Sequence, residues 1–213
     1  MIIGLSGKIS SGKDTAAAML QEELAKAGLF LAKRQFAGKL KQFVASLIGC
    51  TLKQLEMQDF KASTLSSEWN YLVKEIIGYD HGSPLREDVL KDMTVRELLI
   101  SIGHGLRVNT HDGIWVNGLF SDYNKSCQWV VPDMRYVNEA DRILKENGYL
   151  IRVERPGIKV IDHPSEKLLD EYKQFHFLVE NSGSLDDLRT SIRGVAKQIL
   201  KIENVQPITH NLD

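Results

Sequence analysis

The sequence predicts an α/β fold, a central five-stranded parallel sheet with helices on both faces. Three observations predict it. Apolar strand-like runs alternate with helical periodicities along most of the chain, the pattern of a parallel sheet joined by crossover helices. The first such run, Met1-Ile2-Ile3-Gly4-Leu5, passes directly into the glycine-rich stretch Gly7-Lys8-Ile9-Ser10-Ser11-Gly12-Lys13-Asp14-Thr15 and then into Ala16-Ala17-Ala18-Met19-Leu20, which reads as strand, loop and helix. A length of 213 residues with 43% hydrophobic content suits one domain, residues 1–213, with a real core and room for an insertion.

After the first strand, Asp14 to Ala27 reads as a helix ended by Gly28. Leu29-Phe30-Leu31-Ala32 resembles a short strand that turns basic at Lys33-Arg34. From Ala37 a second helix carries Leu40, Phe43, Val44 and Leu47 at helical spacing and stops near Gly49. Residues 51–92 are more polar and less regular, with loop-like patches at Ala62–Ser67 and Gly78–Pro84. They read as an insertion over the sheet with short helices around 51–58 and 67–77. Thr94, with Glu97 three residues on, forms a capping box for a helix to about Arg107. Another helix spans roughly 113–124. Gln128 to Val131 is a buried strand ending at Pro132-Asp133, followed by a helix over Val137–Asn147 and a strand over Tyr149–Glu154. Phe175 to Val179 is the last strand, and Asn181-Ser182-Gly183 leads into a helix from about Ser184 to Ile202. The tail from Glu203 has no periodicity.

Composition narrows the partners. The net charge of −1 implies no broad basic field, so a nucleic-acid polymer and a membrane surface are both disfavoured. A basic pocket for a small anionic ligand remains compatible with it. Cys50 and Cys127 are the only cysteines and have no metal or redox spacing, which fits buried thiols in a reducing cytoplasm. No basic segment precedes the first apolar run, and Gly7 ends that run early, so it is a strand rather than a signal peptide. The six histidines make no metal set, and no Gly-x-Ser-x-Gly element supports a serine nucleophile.

The glycine-rich stretch carries the chemistry. Gly7 and Gly12 let the backbone wrap close to phosphate oxygens, the amides of residues 8–13, Lys8, Ser10 and Ser11 among them, can point inward, and the helix start adds its positive dipole end. Lys13 would reach the outer phosphates. The usual pattern places Ser or Thr after the lysine to hold Mg²⁺, and here Asp14 stands there. Thr15 is displaced by about 100° around the helix, so it suits the α-phosphate instead. Asp14 suits the metal, directly or through water.

Ligands on such sheets sit beyond the carboxyl ends of the strands, which selects further residues. Asp133-Met134-Arg135 ends a strand, with the carboxylate suited to metal-bound water, a proton, or a sugar or base, and the arginine suited to phosphate. Glu139 lies four residues beyond Arg135 and either orients it or contacts ligand. Lys41 and Arg96 sit near helix starts, where a cation opposes the dipole unless an anion compensates. Arg107, Arg152 and Arg155 are further cations for a transfer site. Trp115 and Trp69 suit base stacking or core packing.

Together these residues resemble the phage-type deoxynucleoside monophosphate kinases, within the adenylate-kinase-like P-loop kinase group. The matching elements are Ser-Gly-Lys-Asp-Thr at 11–15, Phe36-Ala37 with Leu40-Lys41, Val95-Arg96-Glu97-Leu98-Leu99, Gly103, Trp115-Val116, Val131-Pro132-Asp133-Met134-Arg135 with Glu139, Arg155-Pro156-Gly157 and Asn181-Ser182-Gly183-Ser184-Leu185. The family itself carries Asp after the loop lysine. The resemblance implies a P-loop NTPase-like three-layer α/β/α fold whose 51–92 helical insertion shapes the acceptor pocket. It implies transfer of the ATP γ-phosphate to a deoxynucleoside monophosphate, with Mg²⁺, by a cytoplasmic enzyme (host cytoplasm if phage-encoded). By the same resemblance, Gly7 to Thr15 hold the ATP phosphates, Arg155 clamps ATP, and Asn181 to Gly183 border adenine. Lys41, Arg96 and Arg135 bind or bridge the acceptor phosphate, with Lys13, Arg96 and Arg135 as the catalytic cations. Lys61, Trp115, Asp133 and Glu139 contact the acceptor, and Asp14 and Asp133 are the metal carboxylates. Another acceptor, such as dephospho-coenzyme A or phosphomevalonate, and an inactive nucleotide-binding regulator are the alternatives. Base choice, sugar preference and a homodimer stay open.

Overall fold

The computed structural model describes residues 1–77, 85–158 and 167–205. The Gly78–Pro84 patch and the end of the tail lie outside the described residues. The elements run β1 (Ile2–Ser6), α1 (Lys13–Ala25), β2 (Ala32–Lys33), α2 (Ala37–Ile48), α3 (Gln58–Ala62), β3 (Tyr71–Ile77), β4 (Leu85–Lys91), α4 (Val95–Asn109), α5 (Ile114–Phe120), β5 (Trp129–Met134), α6 (Val137–Lys145), β6 (Tyr149–Glu154), β7 (Phe177–Glu180) and α7 (Leu185–Ile202), with short 3₁₀ turns at Gln54–Glu56 and Ser67–Trp69. The chain divides into two compact units, Met1–Gly38 with Trp115–Asp213, and Lys39–Ile114.

The first unit holds the five-stranded sheet in the order β2-β5-β1-β6-β7, with every pair parallel. This is the α/β, P-loop kinase-like architecture that the sequence predicts. Every residue of β1 is buried, because side chains of both parities meet a helical layer. Ile3 and Leu5 face α1 and α7, against Ala17, Leu20 and Leu24 on one and Leu188, Ile192 and Ile199 on the other. Ile2 faces the opposite way with Trp129, Val131 and Leu150, against Val116, Leu119 and Phe120 of α5 and Ala140 and Ile143 of α6. Fully burying each such aliphatic side chain contributes roughly 1.5–3 kcal/mol, which is what holds short strands in place. Gly4 shares the second face, and a Cβ there would stand 2.5 Å from Ile143 Cδ1. Its missing side chain lets α6 approach the central strand. The second strand is shorter than the sequence predicts: only Ala32 and Lys33 pair with β5, both exposed at the sheet edge.

The second unit packs Val44 and Ala45 of α2 with Leu55 and with Val95 and Leu98 of α4. The capping box expected at its last helix is present: Glu97 N–H donates to Thr94 Oγ1 at 3.2 Å and Thr94 N–H to Glu97 Oε2 at 2.8 Å. The helix expected over 67–77 is corrected. Only Ser67–Trp69 turn helically, and Tyr71–Ile77 pair antiparallel with Leu85–Lys91 from Tyr71↔Lys91 to Ile77↔Leu85. Tyr71, Val73, Ile76 and Ile77 are aromatic or β-branched and favour a pleated strand, and a partner strand of equal length overrides the local helical reading. The short helical pieces expected near 51–58 are the Gln54–Glu56 turn and α3.

Candidate functional site

In the first unit, the loop from β1 to α1 has the backbone of a phosphate cradle. Ser10 (φ 65°) and Gly12 (φ 90°) both lie in the left-handed region, which turns successive amides toward one side. Ser11 N–H closes the turn onto the Lys8 carbonyl at 3.0 Å, and Ala16 N–H bonds the Gly12 carbonyl at 2.8 Å as α1 begins. Both glycines are sterically required. A Cβ on Gly7 would stand 2.5 Å from the Val153 carbonyl and against the Ser11 hydroxyl, and one on Gly12 would stand 2.5 Å from the Asn181 amide nitrogen. Lys13 is buried, its Nζ 3.4 Å from the Lys8 carbonyl. Ser11 is buried too, and its hydroxyl has no hydrogen-bond partner among the described residues. A buried cation on a helix start and an unsatisfied hydroxyl beside inward-turned amides fit an anion with several acceptor oxygens.

Asn181 follows β7 and is buried. Its side-chain nitrogen donates to the Ser11 carbonyl at 2.9 Å and its backbone N–H to the Glu154 carbonyl at 2.7 Å. Asn181 therefore clips the phosphate loop to the ends of β6 and β7. The resemblance implies a place for it beside adenine, and in the structure its side chain is bonded to the loop. Ser182 and Gly183 are exposed behind it, and Ser184 caps α7. Beside the loop lies a cleft of about 720 Å³, lined by Lys8, Ser11, Arg152, Arg155, Gly157 and Glu180 among others. Arg155 sits there on an exposed turn. Arg152 is buried on β6, with Nη1 donating to Ser6 Oγ at 3.1 Å and Nη2 to Asp170 Oδ1 at 2.7 Å. Sequence reasoning missed Asp170, which stands in a segment with no periodicity. The available signal was indirect, since a strand arginine beside a phosphate loop needs a carboxylate when buried. Partial burial pushes the Asp170 carboxyl upward, but the hydrogen bonds from Lys8 and Arg152 outweigh this and hold it below the usual carboxylate range.

At the end of β5, Asp133 Oδ1 accepts from Phe36 N–H at 3.0 Å and Oδ2 from Ala37 N–H at 3.1 Å. The carboxylate thereby satisfies the exposed amides at the start of α2. Glu139 is buried, and its Oε2 accepts from the backbone N–H groups of Arg135 (2.8 Å) and Tyr136 (3.1 Å). Of the two roles the sequence allows it, orienting Arg135 or contacting ligand, these main-chain bonds are compatible with the first. Trp115 is only 7% exposed, so its ring is packed and offers little face to a base.

Asp14, in the first turn of α1, is exposed and pairs with Lys33 at 3.0 Å, and Thr15 is exposed beside it. Among the described residues no group of three or more His, Cys, Asp or Glu side chains is arranged to hold a metal ion. A Mg²⁺ held by one carboxylate, phosphate oxygens and water needs no such group, and Asp14 fits that donor set.

In the second unit, Lys41, Lys61 and Arg96 gather around Glu56 and Gln58. Lys41 Nζ pairs with Glu56 Oε1 at 2.7 Å, and Arg96 Nη2 donates to Gln58 Oε1 at 2.9 Å. Burial, then the charges of Lys41 and Arg96, push the Lys61 ammonium below its usual pKa, against the opposing pull of Glu56. Three cations that the sequence scatters over 56 positions are thus electrostatic neighbours. Because the unfolded chain binds the Lys61 proton more tightly, this charge costs stability below the lowered folded pKa. The cost fades as pH rises through the ordinary lysine value, near ~10.4. Lys61→Met is expected to raise the thermal midpoint at pH 7 and to flatten the gain in stability on the alkaline side, checked by melting curves across pH.

A sequence model of the family described as deoxynucleotide monophosphate kinase matches residues 41–192. The chain is 29% identical over 197 residues to the putative deoxynucleotide monophosphate kinase of Acanthamoeba polyphaga mimivirus, covering 90% of this chain and 94% of that protein. It is 26% identical over 243 aligned positions to the deoxynucleotide monophosphate kinase of Enterobacteria phage T4, covering 92% of this chain and 98% of that one. Among the described residues no helix is long and apolar enough to cross a membrane. With the family match spanning most of a chain built on a five-stranded parallel α/β sheet, the protein belongs to the deoxynucleotide monophosphate kinase family.

Proposed function

We propose that the protein transfers the ATP γ-phosphate to the 5′-phosphate of a deoxynucleoside monophosphate, giving the diphosphate and ADP. The observation that carries this reading is the buried Lys13 at the start of α1, inside a loop whose Ser10 and Gly12 turn the backbone amides inward. The names of the relatives point to the same acceptor class.

The acceptor is already an anionic nucleophile, so the protein needs no strong base. It needs positioning and charge neutralisation. Gly7, Lys8, Ser10, Ser11, Gly12 and Thr15 hold the donor phosphates through amides and hydroxyls, and Lys13 neutralises the outer ones. Asp14 would hold Mg²⁺, directly or through water, and Asp133, at the end of β5, would be the second carboxylate for the metal. When bound, Mg²⁺ offsets charge on the donor phosphates. Arg155 clamps the donor from the exposed turn after β6. Lys41, Lys61 and Arg96 receive the acceptor phosphate, with residues 51–92 shaping that pocket. Arg135, held by Glu139, stabilises the equatorial oxygens during transfer. A homodimer and the choice of base lie beyond this reading.

The test is ADP release with ATP and Mg²⁺ against dGMP, dTMP, dCMP, dAMP, their ribonucleotide counterparts and dephospho-coenzyme A. Turnover of deoxynucleotides that is lost in Arg135→Ala supports the reading. Turnover of dephospho-coenzyme A alone replaces the acceptor, and nucleotide binding with no acceptor turned over replaces catalysis with regulation.

A further inference from the structure

One ion-pair chain borders the donor cleft outside the phosphate loop proper. Asp170 Oδ2 accepts from Lys8 Nζ at 2.7 Å, and Asp170 Oδ1 accepts from Arg152 Nη2 at 2.7 Å. Lys8 and Arg152 both line the cleft. A single carboxylate thus presents one oxygen to each of two cations, as two oxygens of a phosphate would. The two partners are unequal. The Arg152 side chain is 8% exposed and also bonded to Ser6, whereas the Lys8 side chain is 24% exposed on the loop. Separating Asp170 from the buried guanidinium would strand a charge. Lys8, a flexible point charge near solvent, can change partner at far lower cost.

We propose that Asp170 is a positioning residue of the donor site that acts through Lys8, competing with the phosphates of the bound nucleotide for that ammonium. The inference rests on the reading of Gly7 to Thr15 as the donor loop. A triphosphate that takes Lys8 must displace a carboxylate already bonded to it, or sit beside that carboxylate at a like-charge cost. Either way nucleotide binding is weakened, and departure of ADP is favoured. This matters wherever product release limits turnover. Arg152 keeps Asp170 aimed at the loop throughout.

The test measures ADP and ATP affinity by titration calorimetry, with steady-state kinetics, for wild type, Asp170→Asn, Lys8→Gln and the double variant. Asp170→Asn is expected to bind ADP about three- to tenfold more tightly, within the range of partly exposed ion pairs, and to lower kcat together with KM for ATP. In the Lys8→Gln background the same substitution should change ADP affinity by less than about twofold, since coupled residues behave non-additively. Unchanged or weaker ADP binding in Asp170→Asn overturns the inference, and so does an equal gain without Lys8, which would reflect charge alone. If Asp170→Asn fails to fold, Arg152→Gln/Asp170→Asn leaves no unpaired buried charge and carries the same expectation for the Lys8 cycle. Wild-type protein that binds neither ADP nor ATP overturns the donor-loop reading and the inference together. Wild-type binding with no Lys8-dependent gain overturns the inference alone.

Discussion

Lys13→Ala is expected to lower kcat for phosphoryl transfer about 10³-fold, the scale at which a single preorganised charge donor acts on a transferring phosphoryl group. That corresponds to roughly 4 kcal/mol of transition-state stabilisation. The fold should survive. Lys13 Nζ donates to the Lys8 carbonyl at 3.4 Å, and the loop is held by other groups as well, namely Asn181 on the Ser11 carbonyl and the Ala16–Gly12 backbone bond. Because those bonds remain in Lys13→Ala, the thermal midpoint should stay close to the wild-type value. Steady-state kinetics and a melting curve on the same preparation check both halves. Activity within tenfold of wild type would show that Lys13 does not face the reacting phosphates.

Asp133→Ala is expected to cost both stability and activity. Its two oxygens satisfy the amides of Phe36 and Ala37, and truncation leaves two donors unpaired next to a buried phenylalanine. At about 1–3 kcal/mol for each orphaned partly buried group, a loss of roughly 2–6 kcal/mol in unfolding free energy follows, read from the denaturant midpoint at constant slope. Asp133→Asn keeps one acceptor oxygen and should fall between. If Asp133→Ala unfolds at the wild-type midpoint, water replaces the carboxylate and the residue acts only on ligand.

Most of the sheet was legible because its strands carry their own signal. Ile2, Ile3 and Leu5, then Trp129 to Val131, then Leu150, Ile151 and Val153 are apolar at both parities, as a sheet covered on two faces requires. The phosphate loop was legible for a related reason, since its function depends on backbone shape and two glycines encode that shape locally. The hairpin of β3 and β4 was not legible, because Tyr71–Ile77 becomes a strand only with Leu85–Lys91 as partner. The polar groups around the loop were read unevenly. Arg152 and Asn181 were each visible as residues of interest, but their partners, Asp170 and the Ser11 carbonyl, are fixed by tertiary structure, whereas Glu139 reaches the Arg135 amide only four residues away. Trp115 shows the same limit, for the sequence offers a base or the core and only packing decides.

The central position of β1 has a consequence for biosynthesis. Once made, β1 finds its neighbours only when Trp129, which pairs with Ile2, and Tyr149, which pairs with Ile3, have been made as well. The clip on the phosphate loop comes later still, with Asn181. At elongation rates of about 5–20 residues per second, the nascent chain waits roughly ten seconds or more with its loop made but unsupported. Long-range parallel pairing of this kind is slow to form. Any ligand of that loop therefore gains its grip only once synthesis has passed Asn181, and shorter nascent chains are left without its stabilisation.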